Sequence, residues 1–267
     1  MRTVVHFSCG AASAVAAKLI LAEAPPEVLI VNAFIVQEHE DNRRFLADCE
    51  KWFEHSVTIV QSDKYHASTY EVWLGKRFMM NGKRNLAPCS EELKRFAIAK
   101  IKLPDDLTVI GYTADARDSK RADRLEGMFP EEKFRFPLIE RGLTHADCLA
   151  MVERAGIELP LMYRLGYQNA NCVGCVKGGE GYWNKIRRDF PEEFVQIANI
   201  QEEIGPGAYL FRNRKTGVRF SLKELDPEAG RYQDEPEISC GFVCSLAEQE
   251  FGDPGASSPK HDSTETK

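Results

Sequence analysis

Thr3-Val4-Val5-His6-Phe7 is a β-favouring opening that runs through small side chains, Ser8 to Ser13, into an Ala- and Leu-rich stretch over 14–24. Ala and Leu are the strongest helix formers, so this predicts strand, tight turn and helix. Residues 28–36, VLIVNAFIV, are almost unbroken apolar after Pro25-Pro26, the pattern of a strand buried on both faces. Residues 41–55 place Phe45, Leu46, Cys49, Trp52 and Phe53 on one helical face, and 57–60 reads as a short strand. The segment 65–84 is irregular, aromatic and basic, with Trp73, Lys76, Arg77, Phe78, Lys83 and Arg84. Ser90 is read as the cap of a helix running to Lys102, with Glu91 and Glu92 against its positive end. A strand over 107–113, a helix over 117–128, a strand over 134–139 and a helix from Thr144, with Asp147 in its first turn, complete the regular part.

Strands alternating with helices at this spacing predict βαβ units. The fold class is α/β: a Rossmann-like three-layer α/β/α sandwich with a mostly parallel sheet, plus a Cys-bearing C-terminal extension. The pattern changes after Leu159. A Gly- and Cys-bearing loop over 166–181 is followed by helices over 182–189 and 191–203. Residues 209–222 then alternate around Lys215-Thr216-Gly217, as a β-hairpin does. This gives an α/β domain at 1–160 and a helical and hairpin extension with the metal site at 161–250, packed on the first. The tail 251–267, rich in Gly, Pro, Ser and charge, reads as disordered.

Composition narrows the classes. Of 267 residues, 43% are hydrophobic and 28% charged, which is ordinary for a globular chain, and the net charge of −6 gives no global bias toward nucleic acid. No apolar run approaches the roughly 20 residues of a membrane span, so no membrane partner is expected. His6, Ser8, Ser13 and Lys18 interrupt what would otherwise resemble a signal peptide, so a cytoplasmic protein with an intact N-terminus is expected. The eight cysteines are too few for a disulfide framework in a chain this long, and their clustering points to metal or redox chemistry.

Three stretches carry the candidate chemistry. Strand, small-residue turn and helix point backbone N–H groups at an anion, and the helix dipole favours it; spacing alone fits a ligand-free βα connection equally well. Cys172-Val173-Gly174-Cys175 and Cys240-Gly241-Phe242-Val243-Cys244 are close thiol pairs of the kind that hold zinc or an iron–sulfur cluster. Cys89, in Pro88-Cys89-Ser90-Glu91-Glu92-Leu93-Lys94, sits at a helix start, where the dipole favours thiolate. Cys49 and Cys148 lie on apolar helix faces and read as core. Tyr182 and Trp183, interleaved with Lys185, Arg187 and Arg188, either stack on a nucleic acid or pack a helix beside the metal site.

The stretch Ser8-Cys9-Gly10-Ala11-Ala12-Ser13 resembles the PP-loop of the adenine-nucleotide α-hydrolase superfamily, usually Ser-Gly-Gly-x-Asp-Ser. Ser8, Gly10 and Ser13 match; Cys9 replaces a Gly, Ala12 replaces the Asp and Ala11 takes the variable position. The Cys89 segment is similar to the Cys-Ser/Thr-x-x-Leu-Lys motif of PAPS-reductase-like proteins. Gly111 to Arg121, after the fourth strand, resembles that family's Gly-x-x-x-Asp-Glu segment, with Ala116 at a position where an acid is common. Over roughly residues 3–194 the chain most resembles PAPS-reductase-like proteins carried by phages and mobile elements. It lacks the C-terminal Glu-Cys-Gly-x-His of assimilatory reductases, of which Cys240-Gly241 is an echo.

The resemblance implies an adenine nucleotide, ATP or a sulfonucleotide, at Ser8, Cys9, Gly10, Ala11, Ala12 and Ser13. It places Asn32 near the adenosine and Gly111 and Arg121 at the same site; Arg124 reads as a solvated helix residue. It implies a [4Fe-4S] cluster on Cys89, Cys172, Cys175 and either Cys244 or Cys240. The competing arrangement is zinc on Cys172, Cys175, Cys240 and Cys244. The implied activity is sulfur transfer, with a tRNA or another acceptor as partner, or sulfonucleotide reduction. A non-catalytic nucleotide-binding module with structural zinc is the alternative. No catalytic residue is singled out.

Overall fold

The structure, a computed structural model, describes residues 1–80 and 87–238. Cys240, Cys244, Lys83, Arg84 and the tail from residue 251 lie outside the described residues.

The chain begins with β1 (Thr3–His6), α1 (Ala11–Ala22), β2 (Val28–Ala33), α2 (Asp41–Phe53), β3 (Val57–Val60) and α3 (Thr69–Lys76). A π-helical turn (Ser90–Arg95) runs into α4 (Phe96–Ala99), then come β4 (Leu107–Val109), α5 (Ala116–Met128), β5 (Lys133–Arg135), α6 (Pro137–Glu140) and α7 (His145–Arg154). The extension adds α8 (Leu161–Arg164), α9 (Glu180–Asp189), α10 (Pro191–Ile204) and a hairpin of β6 (Phe211–Arg212) and β7 (Arg219–Phe220).

The first five strands are all parallel, in the order β3-β2-β1-β4-β5. Connections leave β1 in one direction and reach β4 in the other, so a crevice opens at the carboxyl ends of β1 and β4, where open α/β sheets bind ligands. Side chains alternate across a strand. Val5 and Ile30 join α1, α2 and α7 in one core with Phe7, Phe45, Phe53, Cys49 and Cys148. Cys49 and Cys148 are fully buried there, as core residues.

A second core crosses the expected division at residue 160. Ile35, Val72, Trp73, Met79 and Leu93 pack with Met162, Cys172, Cys175, Trp183 and Ile197. The chain leaves the sheet near that point, but α3 and the π-helical turn share their apolar packing with the extension.

Local chemistry explains some of the boundaries. Thr144 caps α7 in a reciprocal box with Asp147. Pro191 at the first helical position starts α10. Several expectations are corrected. The irregular segment after residue 65 contains α3, capped by the Ser68 side chain. Ser90 is not a cap: Cys89 already has helical backbone angles, and Ser90 is a buried residue of the π-helical turn. The strand expected over 134–139 ends at Arg135, because Pro137 starts α6. The strand over 107–113 ends at Val109.

Candidate functional site

A cavity of about 430 Å³ opens at the carboxyl ends of β1, β2 and β4. Ser8, Gly10, Ala12, Ser13, Asn32, Gly111 and Arg121 all line it. The structure thus brings seven of the nine expected nucleotide-site residues to one space. Cys9 and Ala11 are absent from the lining; both side chains are buried in the core behind the loop.

The loop is held by its own serines. Ser13 Oγ donates to the Gly10 carbonyl at 2.9 Å and accepts the Ser8 N–H at 3.1 Å. Cys9 has φ +57°, the left-handed conformation that favours glycine, and burial raises its thiol pKa well above the ordinary value. Asn32 Nδ2 donates to the Phe7 carbonyl at 2.9 Å and to Cys9 Sγ at 3.5 Å, so the end of β2 braces the turn. The helix begins at Ala11 with no side-chain cap, and the first N–H groups of a helix lack intrahelical partners. Gly111 makes this packing possible: a Cβ there would stand 2.8 Å from Ser13 Cα and 2.9 Å from its nitrogen.

Groups of different chemistry line the cavity. Near the loop stand Tyr163, His145, Asp118 and Arg121. Tyr163 Oη accepts the Ala11 N–H at 3.4 Å, and burial raises its pKa. Arg121, 5% exposed, donates to Asp118 at 2.6 Å. Asp118 also accepts the Thr113 N–H at 3.0 Å, which fixes the turn after β4. The apolar side chains of Val31, Ile98, Ile110, Phe129 and Phe134 also line it, together with the Lys102–Glu132 ion pair. His6 lines the cavity with a buried Nε2 that has no hydrogen-bond partner, and burial, aided by Lys102, lowers its pKa to about 4. A volume of this size with both polar and apolar lining groups suits a nucleotide-sized ligand.

The Cys89 segment spans two places. Cys89 packs in the second core with Cys172 and Cys175, while Lys94 reaches the cavity and pairs with Glu38 at 3.3 Å. Cys89 precedes the π-helical turn and Lys94 lies within it; such turns recur at functional sites.

The CxxC turn is tightly built. Gly174 has φ +75°, and a Cβ there would stand 2.2 Å from Ile197 Cδ1. Tyr182 Oη accepts the Cys175 N–H at 2.9 Å and donates to the Cys172 carbonyl at 3.2 Å. Cys89, Cys172 and Cys175 are each under 10% exposed. Among the described residues, no group of three or more His, Cys, Asp or Glu is arranged to hold a metal ion. Both expected ligand sets reach outside the described residues: the cluster set includes Cys244 or Cys240, and the zinc set includes both. Tyr182 and Trp183 are buried, so their rings face the core and do not offer a stacking surface. Lys185 pairs with Asp189, and Arg187 donates to the Leu222 and Leu225 carbonyls.

Sequence reasoning did not single out Tyr163, Lys94, Glu38, His145 or His6 as site residues. Lys94 was visible in its motif; Tyr163 and His145 reach the cavity only through tertiary packing. No helix among the described residues is long and apolar enough to cross a membrane. The chain matches no protein-family model and no curated protein.

Proposed function

We propose that the chain binds an adenine nucleotide in this cavity, with a phosphate on the N-terminus of α1 and the base toward Ile98, Ile110 and Phe134. The observation that carries the reading is the convergence of the loop, Asn32, Gly111 and Arg121 on one cavity at the switch point of a parallel sheet. With the resemblance of the loop and the Cys89 segment, it supports a PAPS-reductase-like enzyme of sulfur transfer or sulfonucleotide chemistry. In that role the loop and Arg121 bind and orient the phosphate, and the side chains of Ile98, Ile110 and Phe134 pack against the base. A [4Fe-4S] cluster, when bound, supplies electron or sulfur chemistry; Cys89, Cys172 and Cys175, with Cys244 or Cys240, would hold it. A tRNA is one acceptor this reading allows.

Calorimetric titration of the full chain with ATP, adenosine phosphosulfate and its 3′-phosphate tests the reading, with UTP as control. Binding of an adenine nucleotide, and not UTP, supports it; no binding of any of them overturns it. One observation favours a second reading. Ala12 places a methyl group on the cavity wall, which suits a non-catalytic nucleotide-binding module with structural zinc on Cys172, Cys175, Cys240 and Cys244. Binding without turnover of any of the three nucleotides selects it.

A further inference from the structure

The segment before the last described residue returns to the glycine-rich loop that precedes α9. Gly230 has φ +72°, and a Cβ there would stand 2.3 Å from the Gly181 nitrogen. A Cβ on Gly181 would in turn meet the Tyr232 nitrogen at 2.5 Å. Two backbones therefore touch with no side chain between them. Tyr232 Oη accepts the Gln168 N–H at 2.9 Å.

Glu235 then enters the first turn of α9. Its carboxylate accepts N–H groups from Gly181 at 2.6 Å, Gly179 at 3.1 Å and Tyr182 at 3.2 Å. A carboxylate on the unpaired donors of a helix start is favoured by hydrogen bonding and by the dipole. Beyond Pro236, the Ile238 carbonyl accepts from Asn169 Nδ2 and Asn171 Nδ2, both at 2.9 Å. The Glu237 carbonyl accepts from Arg117 on α5. Glu237 and Ile238 both line the nucleotide cavity.

We propose that residues 230–238 are a strap that closes the ligand cavity, and that Glu235 is the positioning residue that latches it onto the N-terminus of α9. The helix α5 links strap and ligand: Arg117 holds the strap, and Arg121, one turn on, lines the cavity. Ligand entry and exit displace Glu237 and Ile238, and the seat of Glu235 opposes that displacement. The latch is a contact within the chain itself; only the identity of the ligand rests on the nucleotide reading.

The test uses the full chain with a fluorescent N-methylanthraniloyl ATP, mixed by stopped flow, and amide exchange of the ligand-free protein. In Glu235→Ala the nucleotide off-rate rises about tenfold or more and the on-rate rises with it, because the barrier serves both directions. Exchange of residues 230–238 accelerates, while β1, α1 and β4 keep their protection. Glu235→Gln, which keeps one acceptor oxygen and the side-chain shape, falls between, and replaces the alanine variant if that variant does not fold. A folded variant with an unchanged off-rate overturns the proposal, as does unchanged exchange in 230–238. If wild type binds no nucleotide, the function proposed above fails and the exchange arm alone decides the latch.

Discussion

Tyr163 Oη lies 3.4 Å from the Ala11 nitrogen, a contact that joins α8 of the extension to the first N–H of the helix behind the loop. The hydroxyl accepts there and keeps its own proton for an acceptor in the cavity, which it also lines. Tyr163→Phe removes that donor and leaves the ring in place. One hydrogen bond contributes about 1 kcal/mol, so nucleotide affinity should fall roughly fivefold with little change in melting temperature. Tighter binding in Tyr163→Phe would show instead that the hydroxyl competes with the ligand for Ala11.

Gly111 sets the distance between β4 and the loop. Gly111→Ala puts a methyl group within 3 Å of the Ser13 backbone, which cannot yield as a flexible side chain does. The expected cost is about 1–3 kcal/mol of stability, with weaker nucleotide binding because the loop shifts. Urea unfolding and titration of the same variant check both.

His6 gives the stability a pH signature. Its folded pKa of about 4 lies below the ordinary 6.5, because burial disfavours the charged ring. The unfolded chain therefore takes up a proton that the folded chain refuses. This contribution is whole above pH 6.5 and is lost progressively as pH falls toward 4, by up to about 3 kcal/mol. Urea unfolding at about pH 7.5 and about pH 4.5 should show a smaller loss in His6→Leu than in wild type. Equal losses in the two proteins would remove His6 as the source.

The metal question is decided at Cys89. Cys172→Ser and Cys175→Ser should each lose metal and destabilise the second core, since metal binding is coupled to folding. In the cluster arrangement Cys89→Ser also loses the visible chromophore. In the zinc arrangement four other thiols complete the tetrahedral site, and Cys89→Ser keeps its metal. Metal analysis and absorbance of anaerobically purified protein separate the two. A colourless wild type holding one zinc, undiminished in Cys89→Ser, contradicts the cluster.

The sheet was legible because hydrophobic runs at 3–7, 28–36 and 57–60 are separated by helical periodicity, which leaves little choice but a parallel α/β fold. The loop was legible because small residues bridge the first strand and helix. Boundaries set by single backbone angles were not. Nothing in the sequence marks Cys89 as already helical, or the π-helical turn that follows it. Pro137 was present in the sequence, but the apolar residues around it read as a strand, when a proline at a first helical position starts α6. Tyr163, His145 and Glu235 act through contacts between residues distant in sequence, which no local pattern carries.

Nucleotide binding at the loop is tested by calorimetric titration of Gly10→Val beside wild type. Gly10 has φ −100° and ψ 154°, which valine adopts readily, so the fold should survive. A Cβ there already stands 3.2 Å from Tyr163 Oη, and a branched side chain fills the space an anion would take. Phosphate binding at the loop requires that wild type binds ATP or a sulfonucleotide and that folded Gly10→Val does not. Unchanged nucleotide affinity in folded Gly10→Val would contradict it.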